Sequence, residues 1–101
     1  MAVGFQQVAP TVTAAANGAT SVNVALGQRF NGVTLRVLNL NTVPVFVRAG
    51  IGAQTATAAD TPVPPSTTGG GYTDIFVGPC DNVAFVLSAA GTSNVYICPG
   101  N

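Results

Sequence analysis

The chain has 101 residues, carries no net charge and contains no His, Lys, Glu or Trp. Only 6% of its residues are charged, against roughly 25% in an ordinary soluble domain. The charged residues are Arg29, Arg36, Arg48, Asp60, Asp74 and Asp81. So few ionisable groups leave little for acid–base catalysis, metal binding or phosphate binding, and little charge repulsion between copies. The composition therefore predicts a structural part rather than an enzyme, with no cofactor.

The length suits one compact domain over residues 1–101, because a chain of this size can bury a single hydrophobic core. Although 48% of the residues are hydrophobic, no apolar run approaches the ~20 residues of a membrane-spanning helix. The first residues lack the basic and continuous apolar segments that make up a signal peptide. We therefore expect synthesis in a cytoplasm and no membrane partner.

Apolar and polar residues alternate with a period of two along most of the chain, which predicts β-strands rather than helices. The predicted strands, bounded by Gly, Asn, Pro and Thr clusters, are residues 3–8, 20–26, 33–40, 43–49, 73–77, 83–88 and 94–98. Seven or eight short strands in a chain of this length are typical of an antiparallel β-sandwich, of the jelly-roll or immunoglobulin-like kind. The predicted core residues are Val22, Val24, Leu26, Val33, Leu35, Val37, Val43, Val45, Val47, Val83, Phe85, Leu87, Val95 and Ile97.

The second half of the chain echoes the first at a separation of 50 positions, so that, for example, Val45 aligns with Val95. This repeat predicts two similar three-strand meanders, over residues 20–50 and 70–100, packed face to face. The alternative is that two unrelated hairpins of equal length share one pattern, because period-two alternation recurs in all β-proteins.

A low-complexity segment over residues 54–71 joins the two halves. It contains Pro62, Pro64 and Pro65 and ends in three glycines. Most connections have ~4 to 6 residues, so a segment of this length is usually functional or disordered. Because prolines favour an extended backbone and glycines a hinge, we expect an extended arm that lies across a neighbouring subunit. The alternative is a mobile surface loop.

The two cysteines, Cys80 and Cys98, are the only thiols, and without His no catalytic Cys–His pair is possible. In a meander they would lie at the same end of the sandwich, on strands ~10 Å apart, whereas a disulfide needs Cα atoms ~4.4 to 6.8 Å apart. Two free thiols are therefore expected. A disulfide between them, which requires a bend or a cross-sheet position, is the alternative.

Metal and nucleic-acid binding are not expected. The three aspartates are scattered without metal-ligand spacing, and three arginines cannot form the basic stripe that neutralises phosphates. Neutral loops on a β-sandwich can hold sugars, so glycan binding stays open, although the chain has no Trp as a stacking platform.

Aromatic and Arg residues on outward faces are candidates for contact with a partner, because such side chains dominate binding hot spots, and the prolines of the arm are further candidates. These candidates are Arg36, Phe46, Arg48, Pro62, Pro64, Pro65, Tyr72 and Tyr96. We expect Arg36 to lie across a hairpin from Phe46, and Tyr96 to lie beside Val86. The alternative is a second layer covered by the N-terminal strand or by the arm.

The segment GVTLRVLNLNTVPVFVRAG, the TPVPP turn and the segment DNVAFVLSAAGTSNVYICPG carry a V-x-V-F-V-R strand and a closing V-Y-I-x-P-G strand. Over residues 32–100 the chain thereby resembles small virion proteins of tailed bacteriophages, some of which are capsid decoration or cement proteins. The resemblance implies a β-sandwich, made in the host bacterial cytoplasm and bound in many copies to a capsid shell. The implied partners are the major capsid protein or another virion protein, and other copies of the chain. The alternatives are a tail, fibre or baseplate adaptor and a module that binds glycans or a cell surface.

Overall fold

A computed structural model describes residues 5–65 and 72–101 of the chain. Within these residues the backbone forms eight β-strands and no helix. The strands are β1 Val12–Ala15, β2 Val22–Phe30, β3 Val33–Asn39, β4 Val45–Gly50, β5 Thr61–Val63, β6 Thr73–Val77, β7 Cys80–Leu87 and β8 Asn94–Gly100. The predicted all-β fold is confirmed.

The strands form two antiparallel four-stranded sheets that pack face to face. Sheet 1 has the order β1-β8-β3-β6, and sheet 2 has the order β2-β7-β4-β5. Each strand pairs with its mirror image about the β4–β5 connection, so that β4 pairs with β5, β3 with β6, β2 with β7 and β1 with β8. Successive pairs of this folded hairpin lie alternately in the two sheets, which is the topology of a jelly roll.

The core lies between the sheets and is filled by alternate residues of the strands. Leu35 and Val37 of β3, Val45 of β4, and Val83 and Phe85 of β7 are all fully buried. Burying a side chain of this size contributes roughly 1.5–3 kcal/mol relative to leaving it exposed. A slip of one residue would turn these side chains to solvent, so the alternation itself fixes the register of the central strands. The predicted inward faces of these strands are confirmed.

The predicted meanders are wrong. Consecutive strands of a meander are hydrogen-bonded neighbours, whereas β2, β3 and β4 lie in sheets 2, 1 and 2, and β6, β7 and β8 lie in sheets 1, 2 and 1. Period-two alternation specifies which face of a strand is buried, and both arrangements bury the same faces. Residues 50 positions apart lie on strands that are four apart in the chain, so that β2 corresponds to β6, β3 to β7 and β4 to β8. The two strands of each such pair lie in opposite sheets.

The N-terminal region also differs from the prediction. Residues 5–8 of the predicted strand 3–8 form no strand, since Gln7 makes only an isolated bridge to Gly100; residues 1–4 lie outside the described part of the chain. The first strand is instead β1, which pairs with β8. Its sequence, VTAA, escapes prediction because alanine is a weak strand former and the alternation is short.

The segment predicted as an arm over residues 54–71 contributes a strand to the sandwich. Thr61–Val63 forms β5 on β4, and Val63 is 1% exposed within the core. Pro62 is compatible with this strand because β5 is the edge of sheet 2, where a missing N–H is tolerated. The prediction of an arm lying across a neighbour is therefore wrong for residues 61–63. Residues 66–71 lie outside the described part.

Candidate binding face

The outer face of sheet 1 carries the most exposed aromatic side chains of the described residues. Phe76 is 76% exposed and Tyr72 is 51% exposed. The neighbours of Phe76 on β6, Ile75 and Val77, pair with Leu35 and Val33, which point into the core. Because side chains alternate along a strand, Phe76 points outward. Phe5 and Tyr96, both half-buried, lie on the same side of the sheet. Phe5, Tyr72, Phe76 and Tyr96 are together referred to as the aromatic face.

Arg36 is the fixed centre of the aromatic face. Its Nε and Nη2 donate to the two carboxylate oxygens of Asp74, the cross-strand neighbour on β6, at 2.9 and 3.1 Å. Its guanidinium carbon lies 4.1 Å from the ring centroid of Phe5 and 3.7 Å from that of Tyr72. The hydrogen bonds to Asp74 raise the pKa of Arg36 above its ordinary value. A guanidinium held between two rings and one carboxylate keeps both rings in defined positions.

Phe5 reaches the aromatic face because the N-terminal segment is fastened beside the end of β8. Gln6 and Asn101 exchange two backbone hydrogen bonds, each 2.9 Å long. The ring of Phe5 then lies directly against Gly100, where an added Cβ would collide with it. Glycine at this position is what allows the ring to approach the strand so closely.

A shallow groove runs across the aromatic face between Tyr72 and Tyr96. Its volume is about 390 Å³, and its lining is Thr11, Arg36, Leu38, Tyr72, Tyr96 and Cys98. Most of this lining is apolar side chain, so the groove can take part in apolar contact and ring stacking. The described lining contains no carboxylate, imidazole or lysine that could serve as a general acid or base.

Phe46 lies on the opposite side of the molecule, on the outer face of sheet 2. It packs with Ala56, Ala84 and Val86 in a small apolar cluster, and the backbone N–H of Ala56 donates to Ser21 Oγ at 2.9 Å. The chain's own segment after β4 thus covers part of Phe46. For this residue the structure supports the alternative of a covered second layer.

Two predicted pairs of neighbouring residues are wrong. Arg36 does not lie across a hairpin from Phe46, because β3 and β4 belong to different sheets. Tyr96 does not lie beside Val86 for the same reason, since β8 is in sheet 1 and β7 in sheet 2. Both expectations assumed meanders, in which these strands would have been neighbours.

The remaining interface candidates lie with sheet 2 rather than on the aromatic face. Arg48 pairs with Asp60 at 3.3 Å. Pro62 is the cross-strand partner of Phe46, and it is exposed, as is Pro64, whereas Pro65 is half-buried. The structure therefore brings Arg36, Tyr72 and Tyr96 together and separates them from the other predicted candidates.

Both cysteines are free thiols in this structure. Cys80 is 1% exposed in the core, and this burial, followed by the nearby charge of Asp81, raises the pKa of its thiol. Cys98 is half-buried on the outer face of sheet 1, where it lines the groove. The two thiols thus occupy different environments, one in the core and one on the aromatic side.

Sequence reasoning missed two buried amides that fasten one end of the sandwich. Asn39 is 1% exposed and Asn41 is 3% exposed. Asn39 Nδ2 donates to the carbonyl oxygens of Val43 (2.9 Å) and Val63 (3.3 Å), and its Oδ1 accepts from Asn41. Asn41 in turn exchanges hydrogen bonds of 2.9 and 3.1 Å with the backbone of Ser93. The only signal in the sequence was the repeated Asn in LNLNT.

A second polar network fastens the loop after β4 to the outer face of sheet 2. The carboxylate of Asp81 accepts from the N–H of Gly52 (2.9 Å) and from Asn82 Nδ2 (2.7 Å), and these bonds hold the pKa of Asp81 below its ordinary value. Asn82 accepts from Asn23 at 3.0 Å, and Asn23 accepts from the N–H of Gln54 at 2.9 Å. These residues support the fold, and Asp81 and Asn82 also line a shallow pocket of about 230 Å³ beside β2.

Within the described ranges no three His, Cys, Asp or Glu side chains gather in a group able to hold a metal ion. Those ranges also contain no helix long and apolar enough to cross a bilayer. Comparison of the chain with protein-family models, with curated proteins and with solved structures gives no match. The aromatic face and the sequence are therefore the features that bear on function.

Proposed function

We propose that the chain is a non-enzymatic structural protein of a virion, of the capsid decoration or cement type, and that the aromatic face attaches it to the shell. The observation that carries this proposal is the exposure of Phe76 (76%) and Tyr72 (51%) beside an Arg36 that Asp74 and two rings hold in place. Pre-ordered aromatic and Arg side chains on a solvent-facing sheet are typical of protein–protein contacts.

The charge of the chain supports attachment by apolar contact. The net charge is zero, and two of the three arginines are paired within the chain, Arg36 with Asp74 and Arg48 with Asp60. Little charge is left for electrostatic attraction to a partner, whereas neighbouring copies on a shell repel each other little.

The resemblance of residues 32–100 to small virion proteins of tailed bacteriophages supports the choice of partner. It points to the major capsid protein, or another virion protein, together with further copies of the chain, and to synthesis in the host bacterial cytoplasm. The jelly-roll fold alone does not indicate a partner, since one fold hosts many functions.

The groove between Tyr72 and Tyr96 favours a second candidate function, the binding of a glycan. Two tyrosines beside an arginine offer ring surfaces and hydroxyl groups to a sugar within about 390 Å³. In this case the protein would act as a recognition module, and the aromatic side chains would contact a saccharide rather than a shell protein.

Quantitative mass spectrometry of particles from cells that make the chain tests the first candidate. A decoration protein is expected in a copy number comparable with that of the major shell protein. A copy number of a few per particle would instead indicate a tail, fibre or baseplate adaptor. Absence of the chain from the particles would overturn the virion assignment.

Oligosaccharide titration of the isolated chain tests the second candidate. Glycan binding predicts saturable changes in the NMR signals of the Tyr72 and Tyr96 rings, with the Phe46 ring on sheet 2 as an internal control. Unchanged Tyr72 and Tyr96 signals across a panel of bacterial surface oligosaccharides would count against this function.

A further inference from the structure

A jelly roll has four edge strands, and three of them carry features that oppose pairing with another chain. β5 has only three residues and contains Pro62. β2 has a register shift between Ala25 and Phe30, with Gly27 at a φ of 84°. β1 has only four residues. Short length, proline and β-bulges are the usual protection of exposed edges.

The fourth edge, β6, has none of these protections. It is a regular five-residue strand, TDIFV, with unbroken register against β3. It contains no proline or glycine, and Phe76 on it is 76% exposed. No strand among the described residues pairs with its outer edge. A regular, apolar, unpaired edge of this kind is a template for pairing with another β-strand.

The one charge on β6 does not protect the edge either. Asp74 is held by Arg36 through two hydrogen bonds of 2.9 and 3.1 Å, and Arg36 lies on β3, the inner neighbour of β6. The carboxylate is thereby neutralised and drawn away from the free edge. Since the net charge of the chain is also zero, neither local nor overall repulsion keeps two copies apart.

We propose that two copies of the chain pair through their β6 edges, antiparallel and about a two-fold axis at Ile75. This register uses all five residues of the strand, and it places Thr73 opposite Val77 and Asp74 opposite Phe76 of the other copy. Because of the two-fold symmetry, every contact across this interface occurs twice. Each Phe76 would lie beside the Asp74–Arg36 pair of the other copy. No two like charges would face each other directly.

Pairing through β6 would join the two copies of sheet 1 into one eight-stranded sheet. The two aromatic faces then lie side by side on one surface, because outward residues of β6 stay outward across the pair. This inference gives the proposed self-association a location. It concerns the isolated chain, so its failure is distinguishable from a failure of attachment to particles.

Sedimentation equilibrium over a range of concentrations gives the first test. The wild-type chain, 10.0 kDa as a monomer, is expected to approach twice that mass as its concentration rises. Phe76→Asp would face Asp74 of the other copy on both sides of the two-fold axis, and it should remain monomeric because like charges directly opposite each other oppose strand pairing. Ile51→Asp adds the same charge at another exposed apolar residue (45% exposed) and should dimerise like the wild type.

Isotope-filtered NMR on a mixture of labelled and unlabelled chains gives the second test. Thr73 and Val77 lie about 13 Å apart within one strand, so a nuclear Overhauser contact between them can only join two copies. We expect this contact in the dimer. A wild-type chain that stays monomeric, a Phe76→Asp chain that still dimerises, or a dimer lacking the Thr73–Val77 contact would each overturn the proposal.

Discussion

Asn39 shows how much of this small domain depends on single buried polar groups. Its amide donates to the carbonyls of Val43 and Val63 and accepts from Asn41, so it links the β3–β4 connection to β5. Asn39→Ala would leave these buried groups without their partner, and we expect a loss of about 1–3 kcal/mol in the free energy of unfolding. Denaturant unfolding measures it.

Asn94→Ala is the matched control for this prediction, since Asn94 is an exposed residue at the start of β8. It should change the free energy of unfolding by no more than about 0.5 kcal/mol. Equal effects of the two substitutions would mean that the buried amide network does not stabilise the fold.

Asp81 makes the stability of the β4 loop depend on pH. Hydrogen bonds from Gly52 and Asn82 lower the pKa of its carboxyl group in the folded state, so the charged form stabilises the fold above the ordinary carboxyl pKa. This contribution is lost as the pH falls through the lowered value. Asp81→Asn keeps an acceptor but does not titrate, and the advantage of the wild type over it should shrink in acid. Unfolding curves at neutral and acid pH check this, and a difference that does not vary with pH would contradict it.

The two thiols should react at very different rates. Cys80 is buried and its raised pKa suppresses the thiolate, whereas Cys98 is half-buried on the outer face of sheet 1. Since the thiolate is the reactive form, a chromogenic thiol reagent should modify one cysteine of the native protein and both in denaturant. Cys98→Ala should remove the native reaction. Rapid modification of both thiols in the native wild-type protein would show that Cys80 is not enclosed.

At the scale of the element, β5 is expected to be part of the cooperative fold. Val63 is 1% exposed in the core although its strand has only three residues. Val63→Ala should lower the free energy of unfolding by about 2 kcal/mol, and deletion of residues 61–68 should prevent folding rather than release an arm. Val8→Ala, at a residue 44% exposed, is the control. A deletion variant with an unchanged unfolding transition would restore the interpretation of this segment as a free arm.

The sequence predicts which face of each strand is buried better than it predicts which strands are neighbours in a sheet. Val45 and Val95 are inward as their alternation indicates, and both are fully buried. Alternation carries no information on strand order. The sequence therefore predicts that Arg36 and Phe46, ten positions apart in the chain, share one face, whereas the structure places them on opposite faces. β5 escaped prediction because Pro62 suggests a loop unless the strand is known to be an edge.

The Arg36–Asp74 ion pair also could not be predicted without knowing which strands are neighbours in the sheet. These residues lie 38 positions apart in the chain, and only the register of β3 against β6 brings them together. The outward positions of Tyr72 and Tyr96 were visible in the alternation, but their gathering around one arginine follows from the jelly-roll strand order. The sequence therefore predicts Arg36, Tyr72 and Tyr96 as single contact candidates, but it misses Phe5 and Phe76 and does not predict that these residues form one site.

At the scale of the whole molecule, the two outer faces differ. The outer face of sheet 2 is partly covered by the chain's own segment after β4, through Ala56 and the Asn23–Gln54 contact. The outer face of sheet 1 presents Phe76 and Tyr72 to solvent. In the attachment that we propose, the exposed face of sheet 1 would contact the shell, and the partly covered face of sheet 2 would point away from it.

The proposed function requires that the aromatic face attaches the chain to a particle by apolar contact. Counting the copies that purified particles retain after a wash in about 1 M NaCl, where the Debye length falls to about 3 Å, tests this requirement. We expect the wild type and Ile51→Ala to be retained and Tyr72→Ala to be lost, because truncating an aromatic hot spot costs about 2 kcal/mol, or about thirtyfold in affinity. Tyr72 lies outside β6, so this outcome does not depend on edge pairing. Release of the wild type by salt, or full retention of Tyr72→Ala, would contradict the proposed attachment.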